Sequence, residues 1–265
     1  MRRKIAAIGL LAGCLSLPLV VLPALAADDA VPQAQVTLDR YIDVTGGKAA
    51  YQKRRNEIAT GTMEFPAQGL KGTLTRYAAA PGNEYSVIDI DGIGKVETGV
   101  VNGIAWEMTA ILGPRVKAGE ELNQSVREAT FNAALDWRKI YPKVESAGIE
   151  SVNGEDCYKV ILRPSAGNPE TMFFSKKSGL LVKTTTVAVS QMGEVPVEIL
   201  VSDYKVFDGI SVPTKVVQKA AGQEFSIVIA SLKTNADIPP DRFNPPAGVK
   251  ALLDKGANSA PAPAR

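Results

Sequence analysis

Histidine is missing altogether: none occurs among 265 residues. Its absence removes every His-based triad, every imidazole metal ligand and the usual general base near neutral pH. The common zinc-ligand patterns go with it. Cysteine is nearly missing, with two in the chain. Cys14 falls in an N-terminal apolar segment and Cys157 stands alone, so the body of the chain has no internal disulfide to form. A lone thiol in an oxidising compartment is safest buried. A dominant charge is missing too. Removing Arg2, Arg3 and Lys4 from the 30 basic residues leaves 27 against 28 acidic. A near-neutral body gives no electrostatic reason to expect nucleic acid as a partner.

What is there begins with a leader. Arg2-Arg3-Lys4 is a positive n-region, Ile5 to Leu22 is apolar, and Ala24-Leu25-Ala26 has the small-x-small form of a signal-peptidase site. Residues 1–26 are therefore expected to be a signal peptide, which sends the chain to the periplasm. Two rival readings stay open. Leu11-Ala12-Gly13-Cys14 matches a lipobox, which would leave the protein lipid-anchored at Cys14. Ile5 to Ala26 is also just long enough for an uncleaved anchor, although Pro18, Pro23 and the Ala-Leu-Ala site argue against it.

Residues 27–33 form a polar linker. Ala34, Leu38, Tyr41 and Ile42 then recur at helical spacing, and Gly46-Gly47 ends that helix. From Asn56 the texture becomes short β-branched and aromatic runs broken by Gly, Asn, Asp and Pro. These predict strands near 57–65, 70–79, 84–91, 94–101 and 103–109. Asp91-Gly92 and Asn102-Gly103 favour type I′ hairpin turns. Ile104, Trp106 and Met108 alternate with more polar neighbours, which places them on one face. Leu122, Val126, Ala129, Ala133 and Trp137 then form one stripe, predicting a central amphipathic helix over 118–137, about five turns long. Further strands follow near 143–150, 155–163, 170–175, 180–189, 195–206, 211–219 and 223–233. Val195, Val197, Ile199 and Val201 share one strand face, and Phe225, Ile227 and Ile229 repeat the pattern. Residues 251–265 read as a disordered Pro/Ala tail.

The fold class that follows is mainly β with some α. Hairpin-length connections force antiparallel pairing. A sheet of about 11–12 strands must curl under its own twist, giving a curved half-barrel over residues 34–250. Its concave apolar face needs a cover, which the N-terminal helix and the central helix supply. Imperfect cover leaves an apolar cavity.

This layout resembles the outer-membrane lipoprotein-sorting (LolA/LolB-like) carrier fold family. The resemblance rests on element order and on local phrases. These are Leu38-Asp39-Arg40-Tyr41 running into Thr45-Gly46-Gly47, the Gly103–Trp106 hairpin arm, Tyr158-Lys159-Val160, Ser178-Gly179-Leu180-Leu181, and Asp203-Tyr204 followed by Asp208-Gly209-Ile210 and Pro213. The resemblance implies a lipid or lipoprotein acyl chain as partner, held in the apolar cavity. Related domains serve as envelope sensors, so docking of an envelope protein on the same sheet is the alternative. Fold alone does not choose between them.

Other strings point to no chemistry. Ser202-Asp203-Tyr204-Lys205 matches the S-x-x-K form of Ser-Lys acyl-transfer enzymes, but it lies in a predicted strand, where Ser202 and Lys205 face opposite ways. Asp89, Asp91 and Gly92 suggest a calcium loop, yet the acid required at position 100 is Val. Asn123-Gln124-Ser125 is a glycosylation sequon by pattern only. Cys157 has no histidine to activate it. Carboxylate pairs for hydrolysis have no spacing that nominates them. The chain is read as a binding protein, not an enzyme, with no cofactor and no metal. The candidate ligand-binding residues are the large apolar and aromatic side chains Met63, Phe65, Tyr85, Trp106, Met108, Trp137, Met172 and Phe174.

Overall fold

A computed structural model describes residues 31–190 and 193–259. The leader, Cys14, the first linker residues and residues 260–265 lie outside them.

Two helices open the fold, α1 (Ala34–Val44) and α2 (Gly47–Lys53). Six strands follow: β1 (Asn56–Phe65), β2 (Leu70–Ala79), β3 (Asn83–Ile90), β4 (Gly94–Val101), β5 (Ile104–Thr109) and β6 (Gly113–Val116). A helical segment holding α3 (Gly119–Glu128) and α4 (Trp137–Ile140) leads to β7 (Lys143–Val152), β8 (Glu155–Arg163), β9 (Glu170–Ser175), β10 (Leu181–Ser190), β11 (Gly193–Phe207), β12 (Ile210–Ala220) and β13 (Gln223–Thr234). A 3-10 turn at Pro240–Phe243 and α5 (Ala247–Ser259) end the described chain.

All thirteen strands lie in one open, curled antiparallel sheet, ordered β6-β5-β4-β3-β2-β1-β13-β12-β11-β10-β9-β8-β7. Each half is a simple meander, and the pairing of β1 with β13 joins them. One consequence is topological. β6 and β7 are the two edges of the sheet, yet they are neighbours in the chain. Residues 117–142 must pass from one edge to the other, and they do so across the concave face. That is why the central helical segment covers the hollow.

The Asn102-Gly103 turn follows the reading of the sequence, and three further turns share its geometry. Asn102-Gly103, Asn153-Gly154, Asp208-Gly209 and Ala221-Gly222 all hold positive φ at both residues, as a type I′ turn requires. Asp91-Gly92 does not. Only Gly92 has positive φ there, and the turn is closed by the Ile93 N–H donating to the Ile90 carbonyl at 3.0 Å.

Three elements differ from expectation. The continuous helix over 118–137 is broken after Glu128. Asn132 sits at φ 56° and donates to the Tyr51 carbonyl at 2.9 Å, while the Phe131 N–H goes to the Pro81 carbonyl at 3.0 Å. Tertiary bonds replace helical ones at that point. The strand β6 was not expected; with Pro114 at its second residue it is tolerated only because it is an edge. Finally, residues 251–259 are helical, in α5, where the tail was expected to begin. Val249 is fully buried and Gly248 packs on Pro114, so this helix is docked on β5 and β6.

Candidate functional site

Directly opposed residues of an antiparallel pair share a face, so the register sorts the sheet into two surfaces. On the concave surface Phe65, Met63 and Ala59 of β1 align with Leu74 of β2, Ile88 and Ile90 of β3, Ile227 and Ile229 of β13, Val216 of β12 and Ile199 of β11. β13 shows the alternation plainly. Phe225, Ile227 and Ile229 are half-buried inside, whereas Glu224, Val228 and Ala230 are exposed outside.

The roof has two parts. Over β7–β9, Leu38, Ile42 and Tyr51 of α1 and α2, with Trp137 and Tyr141, pack on Val160, Leu162, Phe174 and Ile210. Tyr41 lies 5.5 Å, ring to ring, from Phe174. This end is filled by the protein's own side chains. The second part is α3, a strap. Leu122 and Val126 pack on Val100, Ala105 and Ala129. Arg115 of β6 donates to Glu121 at 2.7 and 2.6 Å and to Glu107 at 3.1 Å, and Lys117 donates to Ser125 at 3.0 Å. On the far side Gln124 accepts the Val189 N–H at 3.0 Å and Arg127 reaches Glu170 at 3.3 Å. The strap is thus tied to β5 and β6 by one set of polar bonds and to β9 and β10 by another. Arg115 holds the Glu121 carboxyl below the ordinary glutamate range through its hydrogen bond. Beside the strap lies an open groove of about 470 Å³ lined by Leu122, Val126 and Ile140 together with Asn123, Arg127 and Thr130.

The concave floor is graded. Its apolar part carries Met63, Phe65, Leu74 and Ile227. At the other end of β1–β3 stands a charged row, with Arg76 donating to Glu57 at 2.8 Å and to Glu84 at 2.5 Å, and Arg54 paired to Glu57. Arg54 also lies 5.4 Å from the Phe131 ring centroid. Burial alone would lower the Arg76 pKa; Glu84 and Glu57 outweigh it and keep the guanidinium charged. The Arg76 side chain keeps 33% of its surface accessible.

Against this geometry the eight candidate residues divide. Met63 and Phe65 lie on the apolar concave floor, Met63 at 5% exposure and Phe65 with its ring 5.6 Å from Phe225. Met172 and Phe174 are also on the concave face, but packed under the roof. Phe174 borders a small recess of about 150 Å³ with Thr37 and Arg40. Trp137 belongs to the roof itself, its indole N–H donating to Asp39 at 3.3 Å. Tyr85, Trp106 and Met108 cannot line the hollow. Trp106 opposes Gly99, which opposes Tyr85, and all three residues project from the convex face; Met108 shares it. There the 3-10 turn and α5 cover them. Trp106 is fully buried, 6.0 Å from the Tyr85 ring, and Arg242 lies 4.8 Å from the Tyr77 ring.

The floor residues Leu74, Ile88, Ile199, Val216, Phe225, Ile227 and Ile229 were not singled out. The signal for Ile199, Phe225, Ile227 and Ile229 was the alternation already visible at 195–201 and 225–229. Arg127 and Glu170 left no signal, being 43 positions apart. The remaining strings are an exposed strand residue, a core thiol and an exposed helical residue. Ser202 is in β11, opposite Lys215; Cys157 is fully buried; Asn123 lies exposed on α3.

The comparison with solved structures points the same way. The fold is similar to that of solved LolA superfamily and lipoprotein-sorting structures. A LolA superfamily protein from Nitrosomonas europaea matches with a TM-score of 0.55 at 13% identity, covering 81% of this chain and 98% of that one. A DUF1329 family protein from Desulfovibrio piger matches with a TM-score of 0.55 at 16% identity, covering 80% and 97%. An outer membrane lipoprotein-sorting protein domain from Vibrio parahaemolyticus matches with a TM-score of 0.51 at 16% identity, covering 83% and 99%. Identities this low establish the fold and nothing about a ligand. No family model matches the chain, and no curated protein matches its sequence. No helix among the described residues is long and apolar enough to cross a membrane.

Proposed function

We propose that this LolA-like protein is an exported periplasmic binding protein that takes up a lipid, or the acyl chain of a lipoprotein, in its concave hollow. It acts as a carrier and not as an enzyme. The observation that carries this reading is the run of half-buried aliphatic side chains on the floor, from Ile199 and Val216 through Ile227 and Ile229 to Ile88. The roof helices α1, α2 and α3 make their main contacts with β5, β7, β8, β10 and β12, so β1, β2, β3 and β13 carry little of the roof. A floor that is apolar and not fully covered gains free energy from a guest.

The magnitude suits an acyl chain. Burying a C16 chain, at ~0.8 kcal/mol per methylene, offers a gross stabilisation of about 12 kcal/mol before ordering costs. The charged row Glu57–Arg76–Glu84 stands at one end of the apolar floor. It therefore orients an amphipathic guest, tail toward Phe65 and Phe225 and head toward Arg76.

Native mass spectrometry of protein extracted gently from the envelope tests the proposal. The expected result is a co-purifying lipid mass that a detergent wash removes. Protein that is repeatedly empty, and that does not respond to added fatty acid or phospholipid, sinks it. Recovery of a stoichiometric envelope protein in place of lipid favours the docking alternative.

A further inference from the structure

The convex face of β7–β13 carries a row of lysines and glutamates that pair with one another. Lys159 is 2.9 Å from Glu150, and Lys183 lies 3.5 Å from Glu150 and 3.9 Å from Glu198. Lys219 lies 3.9 Å from Glu198 and 3.7 Å from Glu224. Lys215 shares that face and is exposed, yet among the described residues no carboxylate comes within ion-pair distance of it. Its cross-strand neighbour is the hydroxyl-bearing Ser202.

These two polar groups border an open pocket of about 390 Å³. Leu200 and Val217 oppose one another on its floor. Each is one position along from a residue that looks into the hollow, Ile199 and Val216. Val182 completes the floor, and with Leu200 it packs on buried Phe173 and Cys157. Val152 and Leu180 form the end wall. The β9–β10 turn that carries Leu180 is fixed. The Ser175 N–H donates to the Leu180 carbonyl at 2.8 Å, and Arg40 donates to the Lys176 and Lys177 carbonyls at 3.1 Å each. Glu155 also borders the pocket, but its carboxylate already accepts the Ser175 hydroxyl.

We infer that this outward pocket binds a small carboxylate with a compact apolar body, aromatic or branched. The carboxylate meets Lys215 and Ser202, and the body lies on Leu200 and Val217. The sheet itself separates this pocket from the hollow, so the inference does not rest on the carrier reading. The ligand class follows from size and charge. The volume falls among small-molecule sites, roughly 300–1,000 Å³. The floor spans β10 to β12, about 10 Å at the usual strand spacing, which suits a ring more than an extended acyl chain. A partner protein would also have to cover the paired lysines and glutamates around the pocket, whereas interface cores are depleted of charge. An ammonium without a counter-ion, beside a hydroxyl at an apolar floor, selects an anion with an apolar body.

Isothermal titration of the exported protein with 2-naphthoate tests this. The expected result is saturable binding at one site, unchanged when the hollow is first filled with palmitate. Lys215→Glu should weaken it by about tenfold, since attraction gives way to repulsion. The neutral analogue 2-naphthylmethanol should bind about threefold more weakly. Lys215 is exposed, so its replacement removes nothing packed, and a thermal melt checks that the variant is folded. Methyl resonances of Leu200 and Val217 should shift on titration, and those of Ile227 and Ile229 should not. The inference is overturned if 2-naphthoate does not bind, if Lys215→Glu or the neutral analogue binds equally well, if palmitate displaces it, or if the shifts fall on Ile227 and Ile229. Tighter binding of N-acetyl-phenylalaninamide would assign the pocket to a side chain of a partner protein and overturn it as well. Absence of palmitate binding, with the 2-naphthoate results intact, would sink the carrier reading and leave this site standing.

Discussion

Arg127 on the strap meets Glu170 at the start of β9, Nε to Oε1 at 3.3 Å, with side-chain exposures of 11% and 14%. These residues are 43 positions apart and belong to opposite margins of the hollow's cover. Removing one partner of a buried pair costs about 3–5 kcal/mol. The residual exposure of this pair brings the expectation for Arg127→Ala to about 2–3 kcal/mol. Its distinguishing effect is kinetic. With that margin released, dissociation of a bound fatty acid, followed by stopped-flow fluorescence, should quicken by about tenfold or more. An unchanged off-rate would show that the strap is no barrier to the guest.

The other margin of the strap is sensitive to acid. Arg115 depresses the Glu121 carboxyl through its hydrogen bond and, further, its charge. A carboxyl whose pKa is lower folded than unfolded contributes stability above the unfolded value, near 4.5, and that stability is lost as pH falls through the folded value. The expected outcome is a fall in urea midpoint on acidification from about pH 6 to pH 3, steeper than in Glu121→Gln. The variant starts less stable at pH 7 and converges on wild type at the acid end. Parallel curves would mean that the Arg115–Glu121 bond contributes nothing to folding. Detachment of the strap should also release ligand in the same range.

The two faces of the sheet give a third test. Ile227 is on the floor and half-buried, so Ile227→Asn should leave the fold standing and weaken acyl binding by about tenfold or more. Trp106 is on the other face. A Cβ on Gly99 would stand 2.5 Å from the Trp106 ring, so Gly99→Ala should destabilise by about 1–3 kcal/mol through overpacking and leave affinity for the fatty acid unchanged. Isothermal titration and thermal melts of the pair measure both quantities. Loss of affinity in Gly99→Ala at temperatures where it is fully folded would contradict the assignment of faces.

The same two residues show how far the sequence carries. The strands were legible because β-branched alternation and the Asn-Gly and Asp-Gly turns are local properties, and the bending of a long meander follows from twist. Which face of β5 looks inward was not. Alternation reports that one face is more apolar, and the concave side is the natural home for it. Here Ala105 lies under α3 while Trp106 lies under the C-terminal helix, so both faces are covered and the heavier side chain is on the convex one. That cover comes from residues 240–259, far along the chain. The break in the central helix was hidden for a similar reason, since Asn132 is claimed by the Tyr51 carbonyl and not by its own helix.

Ala221 supplies a last prediction, independent of any ligand. The β12–β13 turn is type I′, with φ 50° at Ala221 and 76° at Gly222. Glycine accepts the second position freely. Alanine at the first brings its Cβ toward the following carbonyl oxygen, a conformation that costs an L-residue roughly 1–2 kcal/mol. The equivalent turns carry Asn102, Asn153 and Asp208, side chains that hydrogen-bond locally and tolerate this region. Ala221 is exposed, so nothing packed is lost on replacing it. Ala221→Asn should therefore raise stability by about 0.5–1 kcal/mol, read as a higher urea midpoint at unchanged slope. The gain should appear equally in empty and lipid-loaded protein, because the turn lies outside the polar ties that hold the strap. A neutral or destabilising result would mean that the turn does not hold positive φ at residue 221 in solution.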